Sequence, residues 1–288
     1  MTETRIHAMR DSGQDATTAR QVPDTAQTRA PAYRLAFSDA DFMTREETRG
    51  VRLQLELLKP DMIQDARGIR STVVVMGSAR IPDPERLSDG HIIETADGPM
   101  PLCDLRPVDA LTKWYGEARK FSRLMTEESL RHYGQEYVVV TGGGPGIMEA
   151  GNRGAMEAGG HSIGLNIVLP HEQAPNPYIT PDLCFNFHYF AIRKMHFLLR
   201  ARAICIFPGG FGTLDEMFES LTLIQTGRMA RIPYLLFGKS FWEKIINWNA
   251  LVETGVISAG DLDLFQYVDS AEEAVEIITG RAAAEAGE

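Results

Sequence analysis

Residues Ala203–Phe207 form a short apolar run that stops at Pro208-Gly209-Gly210, and from Gly212 onward apolar side chains recur at Leu214, Met217, Phe218 and Leu221. The run has the length of a buried strand, and a spacing of three and four is that of a helix set against a core. A strand that passes through a glycine turn straight into a helix leaves that helix lying back across a sheet, which restricts the chain to folds that alternate the two. An apolar run ending in a turn of small residues occurs twice more. Thr72–Met76 (TVVVM) runs into Gly77-Ser78-Ala79-Arg80, and Tyr137–Thr141 (YVVVT) runs into Gly142-Gly143-Gly144-Pro145-Gly146 ahead of a helix from Ile147 to Ala158. Further strands are expected at His161–Ile167, Leu183–Phe187, Pro233–Phe237 and Phe265–Val268. The predicted fold class is α/β: a Rossmann-like, doubly wound, mainly parallel sheet with helices on both faces. Ligands of such sheets bind outside the carboxyl ends of the strands, where all three small-residue turns lie.

The turn after Phe207 can hold an anion. Gly209, Gly210 and Gly212 allow close backbone approach, the first helical turn offers N–H groups without helical acceptors, and Thr213 adds a hydroxyl. Asp215 and Glu216 follow, favoured there by the helix dipole. Each piece also has a plain reading: the glycines as a tight connection, the acids as solvated stabilisers. The combination with Arg193 and Lys194 one helix upstream is what favours a site. Gly143, Gly144 and Gly146 repeat the anion-binding geometry after the second strand.

Other motifs are excluded. The glycines do not fit G-x-G-x-x-G, and His161–Ile167 ends without the acid that binds an adenine ribose. Gly238-Lys239-Ser240 is not a P-loop, because Pro233 stands where the earlier glycine is required. Ser240 reads instead as a helix N-cap. The net charge of −10 over 288 residues argues against nucleic acid or an anionic membrane as partner. Cys103, Cys184 and Cys205 are too scattered for a disulfide framework or zinc site, and no metal is expected. No apolar run approaches the ~20 residues of a membrane span, and no signal-type segment is seen, so the expected location is the cytoplasm.

The stretch PGGFGTLDE matches the pattern PGGxGTxxE of the LOG (Lonely Guy) phosphoribohydrolases, often mislabelled lysine decarboxylases. Arg193-Lys194 stands at the family spacing before it, and GGGPGIMEAGNRGA at Gly142–Ala155 is similar to a second family element. The resemblance covers roughly residues 72 to 279. It implies hydrolysis of the N-glycosidic bond of nucleoside 5′-monophosphates, AMP or cytokinin riboside monophosphates, to free base and ribose 5-phosphate. It implies Arg193 and Glu216 as the catalytic pair, Lys194 beside them, and Gly77, Ser78 and Arg80 next to the nucleotide. An arginine after a strand can equally be a surface residue. Pro208–Gly210, Gly212 and Thr213 would grip phosphate. Met148 and Glu149 follow the second glycine turn, where Glu149 would meet ribose hydroxyls or be a solvated helix acid; Asn152 and Arg153 have similar standing. No cofactor is expected: a pyridoxal-type decarboxylase needs a lysine Schiff base, and no lysine has a convincing setting. The family implies a homodimer or larger homo-oligomer with a shared active site. The alternative from another class is a non-catalytic nucleotide or cofactor carrier on the same fold.

The rest of the chain is organised around that domain, residues 72–280. Residues 1–30 are polar and expected to be disordered or weakly ordered. Residues 31–71 read as a helical extension, with Thr44 and Glu47 as a capping box, Val51, Leu55 and Leu58 on one face, and Lys59-Pro60 as its close. Residues 81–106 read as an irregular excursion, 107–133 as a long helix and 168–182 as a loop. Residues 240–253 read as one helix, and Ser270 as the cap of the closing helix before a fraying tail, 281–288. His188 and His196 lack metal-ligand spacing, and Trp242 and Trp248 read as core.

Overall fold

The computed structural model describes residues 11–87, 92–95, 98–101, 111–170 and 174–285. It divides into two compact units, Met1–Glu56 and Leu57–Glu288. The boundary falls inside a helix and not at the start of the first strand, so the expected extension to residue 71 is split between the units.

In the first unit, residues expected to lack order form two short helices, α1 (Ser12–Thr18) and α2 (Ala26–Arg29), capped by Asp11 and Thr25 and burying no residue. Helix α3 (Ala40–Met43) follows, and Thr44 is its C-cap, with its hydroxyl donating to the Ala40 carbonyl at 2.9 Å. The Thr44–Glu47 capping box is therefore not formed. The long helix α4 (Arg49–Ala66) starts beyond a 3₁₀ turn at Glu46–Thr48. It runs through Pro60 and does not end there. A proline inside a helix removes one backbone donor; here the ring is buried, and the Gln64 amide donates to the Pro60 carbonyl at 3.2 Å.

The second unit is built on seven parallel strands. They are β1 (Thr72–Met76), β4 (Val138–Thr141), β5 (Ser162–Ile167), β6 (Cys184–Phe187), β7 (Ala201–Ile206), β8 (Tyr234–Phe237) and β9 (Gln266–Val268), in the order β6-β5-β4-β1-β7-β8-β9. Between β1 and β4 lie α5 (Pro84–Leu87), a hairpin of β2 (Ile92–Thr95) and β3 (Gly98–Pro101), and helix α6 (Lys113–Arg131). The rest of the expected excursion, with Cys103 and residues 107–110, lies outside the described residues.

Strand β1 shows why the core has two halves. Val73 and Val75 point to one face, packing with Trp114, Tyr115 and Phe121 of α6 and with Ile147 and Ala150 of α7 (Ile147–Glu157). Val74 and Met76 point to the other face, with Phe197 of α8 (Phe190–Leu198) and Met217, Leu221 and Ile224 of α9 (Phe211–Gln225). A strand buried on both faces is apolar along nearly its whole length, as Val73–Met76 are after Thr72.

Near the end of the chain the boundaries shift. Gly238, in the left-handed region at φ 89°, precedes α10 (Lys239–Ile245), so Ser240 lies within that helix and is not its cap. Asn247 then caps a separate helix, α11 (Trp248–Glu253), by accepting from Ala250 N at 3.1 Å. Ser270 does cap α12 (Ala271–Glu285), accepting from Glu273 N, and this helix continues past Gly280. From β1 the chain moves outward through β4, β5 and β6, then returns to β7 on the opposite side of β1. That reversal opens a crevice at the carboxyl ends of β1 and β7.

Candidate functional site

Three turns meet at the crevice because backbone groups tie them together. Ser78 N donates to the Pro208 carbonyl at 3.0 Å, and Ile147 N donates to the Ser78 carbonyl at 3.1 Å. The turn after β1 is thereby joined to the turn after β7 and to the first residue of α7. Such contact requires glycine. A Cβ on Gly77 would stand 2.6 Å from Ile147 Cγ2, and one on Gly146, at φ 69°, would stand 2.4 Å from the Ser78 carbonyl oxygen.

The turn after β7 leads into α9 with Gly210 as an N-cap that has no side-chain cap bond, so the first-turn amides face the crevice without a capping oxygen. A Cβ on Gly209 would lie 2.1 Å from Thr213 Oγ1, which shows how closely the hydroxyl folds back over the turn. The cleft bounded by these turns has a volume of about 660 Å³. Its lining comprises Met76–Arg80, Gly142, Met148, Phe190, Arg193, Phe197, Gly209–Glu216 and Ile245.

Arg193 and Glu216 face each other in it. Arg193 Nη1 lies 3.8 Å from Glu216 Oε1, and each side chain is 13% exposed. That separation is an ion-pair distance and too long for a hydrogen bond. The guanidinium is held elsewhere: its Nε donates to the Leu165 carbonyl at 2.7 Å, and its carbon sits 5.2 Å from the centre of the Phe197 ring. Gly142 makes room for it, since a Cβ there would stand 2.6 Å from Arg193 Nη2. Burial pushes the Glu216 carboxyl up to about 7, against the opposite pull of Arg193 and Lys194. A carboxyl poised there can both accept and return a proton near neutrality.

The structure brings Gly77, Ser78, Arg80, Met148, Arg193, Gly209, Gly210, Gly212, Thr213 and Glu216 to one cleft. It does not bring the others. Gly143 and Gly144 build the turn after β4, their carbonyls accepting from the Asn176 amide at 3.1 Å each. Gly146 and Pro208 serve the joints already described. Glu149 is buried and accepts from the Tyr115 hydroxyl at 3.1 Å, which corrects its reading as a ribose ligand or solvated acid. Asn152 is buried between Thr141 and Ser162, and Arg153 pairs with Asp83, Glu85 and Glu157, so neither reaches the cleft. Lys194 instead bridges Asp215 and Glu219.

Sequence reasoning missed Met76, Ala79, Gly142, Phe190, Phe197, Phe211, Leu214 and Ile245 as lining residues, and Asp215, noted there as an acid of the first helical turn, also lines the cleft. Two of these carry a local signal: Phe190 and Phe197 stand three before and four after Arg193, on the same helical face. Phe211 is 92% exposed at the mouth of the cleft, an environment that residue type alone does not reveal. Among the described residues no group of three or more His, Cys, Asp or Glu could hold a metal ion, and no helix is long and apolar enough to cross a membrane.

Residues 148–278 match the family model described as "Possible lysine decarboxylase". Over 149 residues the chain is 27% identical to the "Probable cytokinin riboside 5′-monophosphate phosphoribohydrolase LOG4" of Oryza sativa subsp. japonica, a match spanning 51% of this chain and 64% of that relative. Among solved structures, the molybdenum cofactor binding protein of Rippkaea orientalis overlays with a TM-score of 0.46 at 18% identity, covering 74% of this chain and 98% of that one. The Moco carrier protein of Chlamydomonas reinhardtii overlays with a TM-score of 0.45 at 16% identity, over 74% and 98% of the two chains. Over residues 148–278, a span that holds the PGGFGTLDE turn and the Arg-Lys pair, the chain is similar to the family described as "Possible lysine decarboxylase".

Proposed function

We propose that this protein hydrolyses the N-glycosidic bond of nucleoside 5′-monophosphates, AMP or cytokinin riboside 5′-monophosphates, to free base and ribose 5-phosphate. The observation that carries the reading is the opposition of Arg193 and Glu216 at 3.8 Å in a cleft floored by two glycine turns. The cleft volume of about 660 Å³ falls within the range of small-molecule sites. In this reading the amides of Gly210–Thr213, the Thr213 hydroxyl and Arg80 receive the phosphate, which carries between one and two negative charges near neutrality.

Cleavage builds positive charge on the sugar and negative charge on the departing base. In this reading the Glu216 carboxylate stabilises the first charge and takes a proton from the attacking water. The water oxygen bonds to C1′, the C1′–N bond breaks with its electron pair leaving on the base, and the base nitrogen gains a proton from solvent. Arg193 stays charged, so its part is to stabilise the leaving group or grip the phosphate and not to donate a proton. The functional unit in this reading is a homodimer or larger assembly with a shared site, supported by Phe211 and Phe190, 92% and 51% exposed at the cleft mouth. The test is incubation with AMP and with isoprenylated AMP, followed by detection of free base and ribose 5-phosphate. Base release supports the proposal; nucleotide binding without it would make the protein a carrier.

A further inference from the structure

Lys194 is the member of the Arg-Lys pair that does not line the cleft. Its ammonium lies 2.8 Å from Asp215 Oδ2 and 2.7 Å from Glu219 Oε2, and its side chain is 15% exposed. Those two acids stand one residue before and three residues after Glu216 on α9, and Asp215 itself lines the cleft. A wall that receives a phosphate monoester thus contains a carboxylate which, uncompensated, would repel it. Resting on the activity proposed above, we infer that Lys194 is a positioning residue: it neutralises Asp215 and Glu219, so that the phosphate meets no uncompensated acid and Arg193 keeps Glu216 as its partner.

The geometry supports this division of labour. Adjacent residues of α8 project in different directions, so Arg193 can meet Glu216 in the cleft while Lys194 pairs with Asp215 at the cleft wall and with Glu219 beyond it. Two short ion pairs from one ammonium also fix α8 against α9, and with it the spacing of the Arg193–Glu216 pair. The charged and titratable groups facing Glu216 are Arg193 and Lys194 from α8, Asp215 and Glu219 from its own helix, and Tyr234 from β8. Burial raises the Glu216 carboxyl, Arg193 and Lys194 oppose that rise, and Asp215 and Glu219 add to it. Removing Lys194 takes away one of the two opposing cations and leaves both acids in place.

The test compares wild type with K194M, K194R and K194M/D215N/E219Q, measuring AMP affinity, base release and the titration of the Glu216 carboxyl by ¹³C NMR. K194M is expected to weaken AMP binding and lower kcat/KM about tenfold or more, with Glu216 titrating about one pH unit higher. K194R is expected to stay within about threefold of wild type, because it keeps the charge. The triple variant is expected to return to within about threefold, because the acids that needed the charge are gone. A triple variant as impaired as K194M, with Glu216 titrating at its wild-type pH in both, would overturn the inference in favour of direct substrate contact or a mere structural brace. If wild type binds AMP but releases no base, the proposed activity alone fails. AMP affinity and the Glu216 titration then still decide the role of Lys194.

Discussion

Replacing Glu216 by glutamine should separate stability from turnover in a pH-dependent way. The carboxyl is pushed from 4.5 up to about 7 by burial, so the native state holds a proton over a range in which the unfolded chain has released it. Stability changes with pH in proportion to the protons bound by the unfolded state minus those bound by the native state, a difference that is negative between these two values. Stability from this group is therefore fully present below pH 4.5 and lost as pH rises through 7. A displacement of about 2.5 pH units corresponds to roughly 3 kcal/mol at 1.36 kcal/mol per unit. The glutamine side chain does not titrate, so the stability of E216Q relative to wild type should rise by roughly 2–3 kcal/mol between pH 4.5 and pH 8. Taking the difference between two pH values leaves out the pH-independent cost of depriving Arg193 of its partner. Urea unfolding followed by tryptophan fluorescence is the suitable assay, because all three tryptophans, Trp114, Trp242 and Trp248, lie in the Leu57–Glu288 unit. Base release measured on the same samples should fall by at least ~100-fold, with nucleotide binding retained. A stability difference that does not vary with pH would show an ordinary carboxylate at residue 216, and turnover near that of wild type would remove it from the mechanism.

Arg193→Ala should abolish base release; loss of AMP affinity and rate together, measured by calorimetry and product assay, would mark Arg193 as an anchor, and loss of rate alone as a transition-state group. Gly142→Ala places a Cβ 2.6 Å from Arg193 Nη2, so turnover should fall about tenfold or more while the melting temperature changes little. Gly77→Ala drives a Cβ to within 2.8 Å of three Ile147 carbons and should lower stability by about 1–3 kcal/mol in urea titration. Tyr234→Phe removes a hydroxyl that lies 2.9 Å from Ser220 Oγ and donates to the Met217 carbonyl, and should cost about 1 kcal/mol at the root of α9.

What could be read from the sequence was local. Each strand–turn–helix unit announces itself within about fifteen residues, through an apolar run, a glycine cluster and a change of period. Two such units, with the apolar run and small-residue turn of Thr72–Arg80, suffice to imply a parallel sheet and to place the three turns at one edge. What could not be read depends on contacts made at a distance. Glu149 stands in the first turn of α7, where an acid is ordinarily solvated, but the Tyr115 hydroxyl arrives from α6 and takes it into the core. Lys194 is adjacent to Arg193 in sequence, and only the packing of α8 on α9 shows that their side chains serve different ends. Lys59-Pro60 reads as a helix stop by local rules, and burial of the ring within α4 overrides them.

The same dependence explains why the glycines cannot be interpreted as one motif. Gly209, Gly210 and Gly212 face the cleft and leave backbone amides open to an anion. Gly77 and Gly146 touch protein on the side where a Cβ would project, and their smallness brings the turn after β1 against the start of α7. Gly142 does a third thing, leaving the volume that the Arg193 guanidinium fills. Substituting alanine should therefore produce three phenotypes from one residue type. Phosphate affinity is lost at the β7 turn, stability at the joint between β1 and α7, and rate at residue 142. An alanine scan that lowered all of these properties equally at every position would mean that the turns move as a single flexible element, and the Arg193–Glu216 spacing could then not be set by backbone packing.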